Sequence, residues 1–252
     1  MKRRMGPMTL EARGLSRRFG GLLAVADVSL DLRPGVPHAV IGPNGAGKST
    51  LIALLSGAIW PDGGAILLNG ADVTALPGWR RARAGIGRSF QRANLFPSLS
   101  VFENARLGAQ SSIAGWRLAG KAAEESGARD QALAALEQTG LAAVADLPAA
   151  SLSHGQRRLL EIAAVLAAHP RVLLFDEPLA GLGPEETAPV VSLLRELAAT
   201  HTLLLVEHDM DVVFAIAAQV TVMVDGRVLE TGTPGAIRGS AAVRDAYLGH
   251  RG

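Results

Sequence analysis

Nine residues, Gly42-Pro43-Asn44-Gly45-Ala46-Gly47-Lys48-Ser49-Thr50, constrain this chain more than any other stretch. They fit the spacing G-x-x-x-x-G-K-[ST]. A short apolar run over residues 37–41 precedes them and a stretch of helical character over 49–56 follows, so the local order is strand, loop, helix. Glycines let the backbone curl until successive N–H groups converge on phosphate oxygens. The helix N-terminus adds its partial positive charge. In such a loop Lys48 reaches the β- and γ-phosphates of a nucleotide, and the Ser49 hydroxyl ligates Mg²⁺. The competing reading is an ordinary glycine-rich turn between strand and helix. Against it, only Lys2, Lys48 and Lys121 of the 25 basic residues are lysine, and one of these three stands where a phosphate loop needs it.

About 130 residues further on, Val172-Leu173-Leu174-Phe175-Asp176-Glu177 is an apolar strand ending in two acids. Consecutive strand side chains point to opposite faces, but at a strand's end the second can swing towards a ligand. Asp176 is then placed to hold Mg²⁺ through its water shell, and Glu177 to polarise an attacking water. Strand-terminal acids are often solvated turn residues; it is the phosphate loop upstream that gives this pair its meaning.

Composition bounds the rest. The 252 residues suffice for one large α/β domain or two small ones, and 48% are apolar, enough for a substantial core. The formal net charge is +2 and no long basic run accompanies it, so a nucleic-acid partner is not expected. The absence of cysteine excludes disulfides and cysteine-ligated metals and fits a reducing compartment. Residues 1–9 hold three basic residues with no apolar stretch behind them, unlike a signal peptide. No apolar run approaches the roughly 18 residues of a membrane span, so a membrane role is expected to come through partners.

Segments 8–13, 24–33 and 65–69 look like strands between glycine-rich turns. Segments 172–175, 203–206 and 220–224 are continuously apolar, as in a parallel sheet covered on both faces. Helical stretches over 156–168, 187–199 and 211–217 separate them. The alanine-rich region 98–149 reads as a helical insertion between two halves of an α/β core, and residues 232–252 as one or two short surface helices. There is no tandem repeat.

Leu152-Ser153-His154-Gly155-Gln156 stands shortly before the acidic strand. With the phosphate loop and the Asp-Glu pair it resembles the ATP-binding subunits of ABC transporters, whose signature is Leu-Ser-Gly-Gly-Gln. The resemblance covers essentially the whole chain. It implies a P-loop NTPase core of α/β class with a mostly parallel sheet, a small antiparallel β subdomain and a helical subdomain, divided here as 1–97 and 150–252 for the core and 98–149 for the insertion. Read from the residues alone, Ser153 is a good N-cap and Gln156 completes a capping box. The following helix offers unpaired N–H groups and a positive dipole end, an anion site with no phosphate of its own. In the family that segment completes the ATP site of a second subunit, so Ser153, Gly155 and Gln156 are carried over as nucleotide contacts. A plain capped helix is the alternative. His154 departs from the first signature glycine.

The resemblance assigns further residues. Gln91, in Arg88-Ser89-Phe90-Gln91, matches a glutamine loop whose amide ligates Mg²⁺ and which joins the core to the helical insertion. His208, after an apolar strand, matches the histidine that contacts the γ-phosphate and helps position Glu177 and water. Glu207 and Asp209 are expected to cap or solvate, and His38, His169, His201 and His250 to be structural or solvated. Phe19 occupies the place of the aromatic that stacks on adenine, with Val25 as the apolar floor of the base pocket; a core phenylalanine in an edge strand is the alternative. Ala180-Gly181-Leu182-Gly183 stands where the family commonly has Ser-Ala-Leu-Asp, so Gly183 lacks one cross-dimer contact. Leu95, Phe96 and Pro97 are placed to line a groove for a membrane-protein helix, or to begin the packing of the next helix.

Residues 19–25, 153–163, 176–182 and the tail Ala246-Tyr247-Leu248-Gly249 look like the ATPases of branched-chain amino acid importers. That implies ATP and Mg²⁺ as cofactors, a second ATPase subunit, integral membrane permease subunits, an extracytoplasmic solute-binding protein acting indirectly, and a peripheral place on the cytoplasmic face of the cell membrane. Two alternatives stay open. Soluble ABC ATPases of DNA repair or translation typically carry coiled coils or two fused domains, and this chain has one copy of each motif and no heptad run. ATPases of lipid or lipopolysaccharide export share the core but match less well in the tail and signature.

Overall fold

The computed structural model describes residues 8–89, 95–112 and 122–248. The chain opens on β1 (Leu10–Phe19) and β2 (Leu22–Leu32), followed by β3 (His38–Ile41), α1 (Lys48–Ser56), β4 (Gly63–Leu68), β5 (Ala71–Asp72), α2 (Gly78–Ala84) and β6 (Ile86–Arg88). The helical middle holds α3 (Val101–Ser112) and α4 (Ala122–Gln138). Two 3₁₀ turns, Ala142–Val144 and Ala149–Ser151, lead to α5 (His154–Ala167). Then come β7 (Val172–Asp176), α6 (Pro184–Thr200), β8 (Thr202–Val206), α7 (Met210–Ile216), β9 (Gln219–Val224), β10 (Arg227–Gly232), α8 (Pro234–Gly239) and α9 (Ala241–Leu248).

Two sheets form. One has the order β2-β1-β4-β5 with every pairing antiparallel. The other has the order β10-β9-β3-β8-β7-β6 and is parallel except for β10 at its edge. β3, β7 and β8 are buried along their whole length, which is why their sequences run apolar without alternation. One apolar core, including Val25, Leu51, Ile52 and Leu174, fills the space between the sheets. A second lies on the other face of the parallel sheet, among α3 to α6.

The alanines of the middle have a packing reason. Ala105, Ala109, Ala128, Ala132 and Ala135 are buried where α3, α4 and α5 meet. At the crossing of α3 and α5, a Cβ on Gly108 would stand 2.0 Å from the Ala164 carbonyl oxygen, so only a residue without a side chain lets the backbones approach. No helix among the described residues is long and apolar enough to cross a membrane.

Several elements depart from the sequence expectation. β1 runs on to Phe19, well past the apolar stretch, because β2 and β4 pair with it. α2 and β10 were not expected. The α2 sequence GWRRARA is rich in arginine, yet Arg81 is fully buried and donates to the carbonyls of Leu54, Leu55, Thr74 and Leu76. β10 exposes alternate residues at the sheet edge and lacks an apolar run.

Candidate functional site

The parallel sheet brings the site together at the C-terminal ends of β3, β7 and β8. β3 runs into the glycine loop. Asp176 closes β7 directly opposite Val206, which closes β8, so Asp176, Glu177, Glu207 and His208 leave the sheet side by side.

In the loop Gly42, Gly45 and Gly47 have φ of 150°, 82° and 95°. A Cβ on Gly42 would meet the Met223 carbonyl oxygen at 2.0 Å, and one on Gly47 the Ala24 carbonyl oxygen at 2.2 Å. Glycine is therefore dictated twice at the first and last positions, by backbone angle and by space. Ala46 is buried in the core, and Lys48 and Ser49 open α1 with Thr50 behind them. Lys48 Nζ donates to the carbonyls of Gly42 at 2.7 Å and Pro43 at 2.9 Å. The side chain is thus folded back over the loop, with two of its three protons given to the loop itself. Burial pulls the Lys48 ammonium below its ordinary pKa, and Glu177 and Asp176 act to hold its charge.

Ser49 Oγ donates to Asp176 Oδ1 at 3.2 Å. Among the described residues, buried Asp176 Oδ2 accepts no hydrogen bond, and Arg88 Nη2 stands 3.8 Å away as an ion-pair partner. Burial raises the Asp176 pKa, against the opposing pull of Arg88 and the Ser49 hydroxyl. A hydroxyl and a buried carboxylate with an unsatisfied oxygen are hard oxygen donors of the kind Mg²⁺ selects. A dication there would repay the desolvation of Asp176, so the residues present fit Mg²⁺.

Glu177 has φ of +49°, left-handed and unusual for a residue with a side chain. The chain thus breaks from the extended form right after Asp176. Three contacts hold that conformation: Glu177 N–H donates to the Val206 carbonyl at 2.9 Å, and the Glu177 carbonyl accepts from Ala180 N–H at 3.1 Å and from Arg158 Nη2 at 3.2 Å. Glu207 is buried rather than solvated. Its carboxylate accepts from the N–H groups of Leu179 and His208, tying β8 to the turn after Glu177, and burial raises its pKa. His208 follows with a largely exposed ring, its Nδ1 3.8 Å from Glu207 Oε2. Asp209 caps α7 through the N–H groups of Asp211 and Val212. Gln91 lies outside the described residues, as does His250.

Ser153 caps α5 in a reciprocal box. The Gln156 N–H donates to Ser153 Oγ at 3.2 Å, and the Ser153 N–H to Gln156 Oε1 at 3.0 Å. The Gly155 N–H donates to Glu186 Oε1 at 2.8 Å, and the same carboxylate accepts from Gly183 N–H at 3.4 Å. These bonds hold the Glu186 carboxyl below its ordinary pKa. A Cβ on Gly181 would stand 3.2 Å from His154 Cε1, so the imidazole lies over the glycine that replaces the family's alanine. The departure at His154 thus lies beside one of the departures in the Ala180–Gly183 segment, while Gly183 itself has open space around it.

Phe19 ends β1 as a residue 45% exposed, and Val25 pairs with Arg17 and is fully buried in the core between the sheets. The structure adds Arg88 and Arg158 to the residues the sequence singled out for this site, and gives Glu207 the capping role expected of it. Neither arginine had a usable signal. Each reaches the site from a different element, and an arginine in an arginine-rich chain does not stand out.

The ABC transporter family model matches residues 25–180, from the base of β2 through the phosphate loop, the signature and the Asp-Glu pair. The chain belongs to the ABC transporter family. It is an ATP-binding and ATP-hydrolysing subunit of that family. It is 40% identical over 253 residues to the high-affinity branched-chain amino acid transport ATP-binding protein LivG of Escherichia coli K12, with 97% of this chain and 99% of LivG covered. Among solved structures it is similar to the ADP conformation of MJ1267, an ATP-binding cassette of an ABC transporter. The TM-score is 0.85 at 28% identity, over 96% of this chain and 99% of that one. It is also similar to the dimeric post-hydrolysis state of the cassette MJ0796 bound to ADP and Pi, with a TM-score of 0.75 at 25% identity, over 89% and 98%.

Proposed function

We propose that this ABC ATPase drives an importer of branched-chain amino acids or a related small polar metabolite, as one of two ATPase subunits beneath separate permease subunits. The observation that carries the ATPase reading is the convergence of Lys48, Ser49 and Asp176 at the end of one sheet, with Glu177 turned out of the strand beside them. The cargo reading is supported by the likeness to LivG along nearly the whole chain. The dimer is supported by the likeness to dimeric MJ0796. The subunit would sit on the cytoplasmic face of the cell membrane, fed indirectly by an extracytoplasmic solute-binding protein.

In this reading the loop N–H groups and Lys48 cradle the β- and γ-phosphates. Ser49, Asp176 and Gln91 would hold Mg²⁺, which when bound neutralises charge on the phosphate oxygens. Glu177 accepts the proton of the water as its oxygen attacks the γ-phosphorus and the bond to the β-phosphate oxygen breaks. His208 contacts the γ-phosphate and steadies that water. The Ser153–Gln156 segment of a second copy, related head to tail, closes over the γ-phosphate. ATP favours the closed dimer only as far as it binds that state better than the open one.

The test is Glu177→Gln. The amide keeps the shape of the side chain but cannot accept the proton. ATP binding is expected to stay within a few fold while steady-state phosphate release falls by roughly two orders of magnitude or more. The variant is expected to accumulate as an ATP-bound dimer by light scattering. Turnover close to wild type would assign the base to another group. Co-purification of two small integral membrane proteins with the tagged chain, and uptake of leucine by the assembled complex, test the importer and its cargo.

A further inference from the structure

The end of β1 is built more firmly than an exposed strand tip requires. Arg17 stands two residues before Phe19, so both side chains leave the same face of the strand. The Arg17 guanidinium carbon lies 5.0 Å from the centroid of the Phe19 ring, within cation–π distance. This cation is not a loose surface group. Its Nη1 donates to Asp62 Oδ1 at 2.7 Å and to the Trp60 carbonyl at 3.1 Å. Asp62 is fixed in turn: its Oδ2 accepts from Arg18 N–H at 2.7 Å, and its own N–H donates to the Ser16 carbonyl at 2.8 Å. The register shifts on both sides of Arg17 in the β1–β2 pairing place the extra residues on β2, so β1 keeps its alternation and Arg17 and Phe19 keep a common face.

We infer that Arg17 is a positioning residue for the nucleotide base: held by Asp62 and the Trp60 carbonyl, it covers one face of the Phe19 ring and leaves the opposite face for adenine. This rests on the reading of Phe19 as the base platform and gives that platform a fixed orientation. A phenylalanine at a strand end is otherwise free to turn about its side-chain bonds, and stacking a base on it must first pay to stop that motion. A planar guanidinium tied to a carboxylate and a carbonyl stops it in advance. The opposite geometry, with adenine needing the face that Arg17 covers, would require breaking the Asp62 pair and the Trp60 bond each time a nucleotide arrives.

The experiment compares R17A, R17K, D62N and F19A in the full chain. KM for ATP and kcat are read from phosphate release, and inorganic tripolyphosphate serves as a competitor that carries the phosphates without the base. R17A is expected to raise KM for ATP by about three- to tenfold with kcat within twofold, in the same direction as F19A. D62N, which releases the tether, is expected to fall between R17A and wild type. Tripolyphosphate inhibition is expected to be unchanged in all four. R17K keeps the charge but not the planar fork, and its raised KM decides the case if R17A does not fold. A raised KM in F19A beside a wild-type KM in R17A and R17K overturns the role of Arg17 while leaving the platform. A lowered KM in R17A shows that Arg17 blocks the base. Weaker tripolyphosphate inhibition in parallel with KM shows an effect on the phosphate loop and overturns the inference. A wild-type KM in F19A removes the platform and the inference with it.

Discussion

Single residues in this subunit hold charge where water cannot help, and each does so with a stated partner. Lys48 is folded onto two loop carbonyls, Asp176 leans on Ser49 and Arg88, and Glu207 caps two N–H groups. His38 is the case without full compensation. It is buried at the start of β3, its Nε2 lies 2.8 Å from Thr221 Oγ1, and its Nδ1 has no hydrogen-bond partner among the described residues. Burial lowers its pKa from 6.5 to about 4, with Asp31 pulling weakly the other way. The folded protein therefore binds fewer protons here than the unfolded chain. Stability from this group is fully present above pH 6.5 and is lost as the pH falls towards 4. The shift corresponds to about 3 kcal/mol at most. His38→Gln, whose amide can still reach Thr221 but does not titrate, is expected to lose less stability than wild type over that range. Thermal midpoints of both proteins between pH 7 and 4 check this; parallel curves would mean that His38 is not titrating in the folded state. The phosphate-loop residues and the Asp-Glu pair were legible in the sequence because their chemistry depends on local spacing. Arg17, Arg88 and Arg158 were not, because their partners come from distant strands and turns; the capping expected of Glu207 is present, and only its burial goes unannounced.

At the scale of elements, the start of α5 shows how a local signal and a tertiary contact divide the work. The capping box of Ser153 and Gln156 was legible from a three-residue spacing and is present. The approach of His154 to Gly181 joins α5 to the loop before α6, the bond of Gly155 to Glu186 joins it to the first turn of α6, and no spacing announces either. They bear on the departure at His154. If the backbone N–H groups and the Ser153 hydroxyl receive the γ-phosphate of a partner's ATP, the imidazole serves as packing over Gly181. His154→Gly is then expected to retain most ATPase activity, within about threefold of wild type, a change under about 1 kcal/mol in barrier. Ser153→Arg, which fills the cap, is expected to abolish the ATP-dependent dimer. Phosphate release and light scattering on the two variants separate the cases, and a loss in His154→Gly as deep as in Ser153→Arg would make the imidazole a ligand. The helical middle was legible as helical, but its alanines read only as propensity. Their buried role at the α3–α5 crossing depends on which helices meet.

The whole molecule presents two faces of one fold, and the fold class was legible because a phosphate loop, three apolar strands and a helical insertion leave few arrangements. The proposed nucleotide face lies at the ends of β3, β7 and β8. A cavity of about 520 Å³ lies among α2, β6, α3 and α5, lined by Trp79, Leu95, Phe96, Leu107 and Val165. Trp79 and Phe96 are each more than half exposed, which is costly for large apolar side chains unless something covers them. Phe96 is displayed from a fixed backbone. Its N–H donates to Asn104 Oδ1 at 2.8 Å, and its carbonyl accepts from Asn104 Nδ2 at 3.1 Å. Leu95 instead packs partly on the helical core, so the three residues after the glutamine loop divide between packing and display. The cavity is also close to the site: Arg88 and Ser89, at its lining, reach the Asp176 carboxylate and the Asp176 N–H. A short amphipathic helix of a permease laid into this groove would bury the aromatic anchors and feel any movement of β6. Phe96→Asp tests that docking. An aspartate at this exposed position should cost the isolated subunit little stability, and its ATPase activity is expected to stay within about threefold. In the assembly the same change removes about 2 kcal/mol of apolar burial and places a carboxylate against an apolar helix, together worth a loss of roughly a hundredfold or more in affinity. Co-purification with the permease subunits and solute uptake by the complex are therefore expected to fail while hydrolysis continues. If assembly and uptake survive intact in Phe96→Asp, the permease docks on another face of the fold.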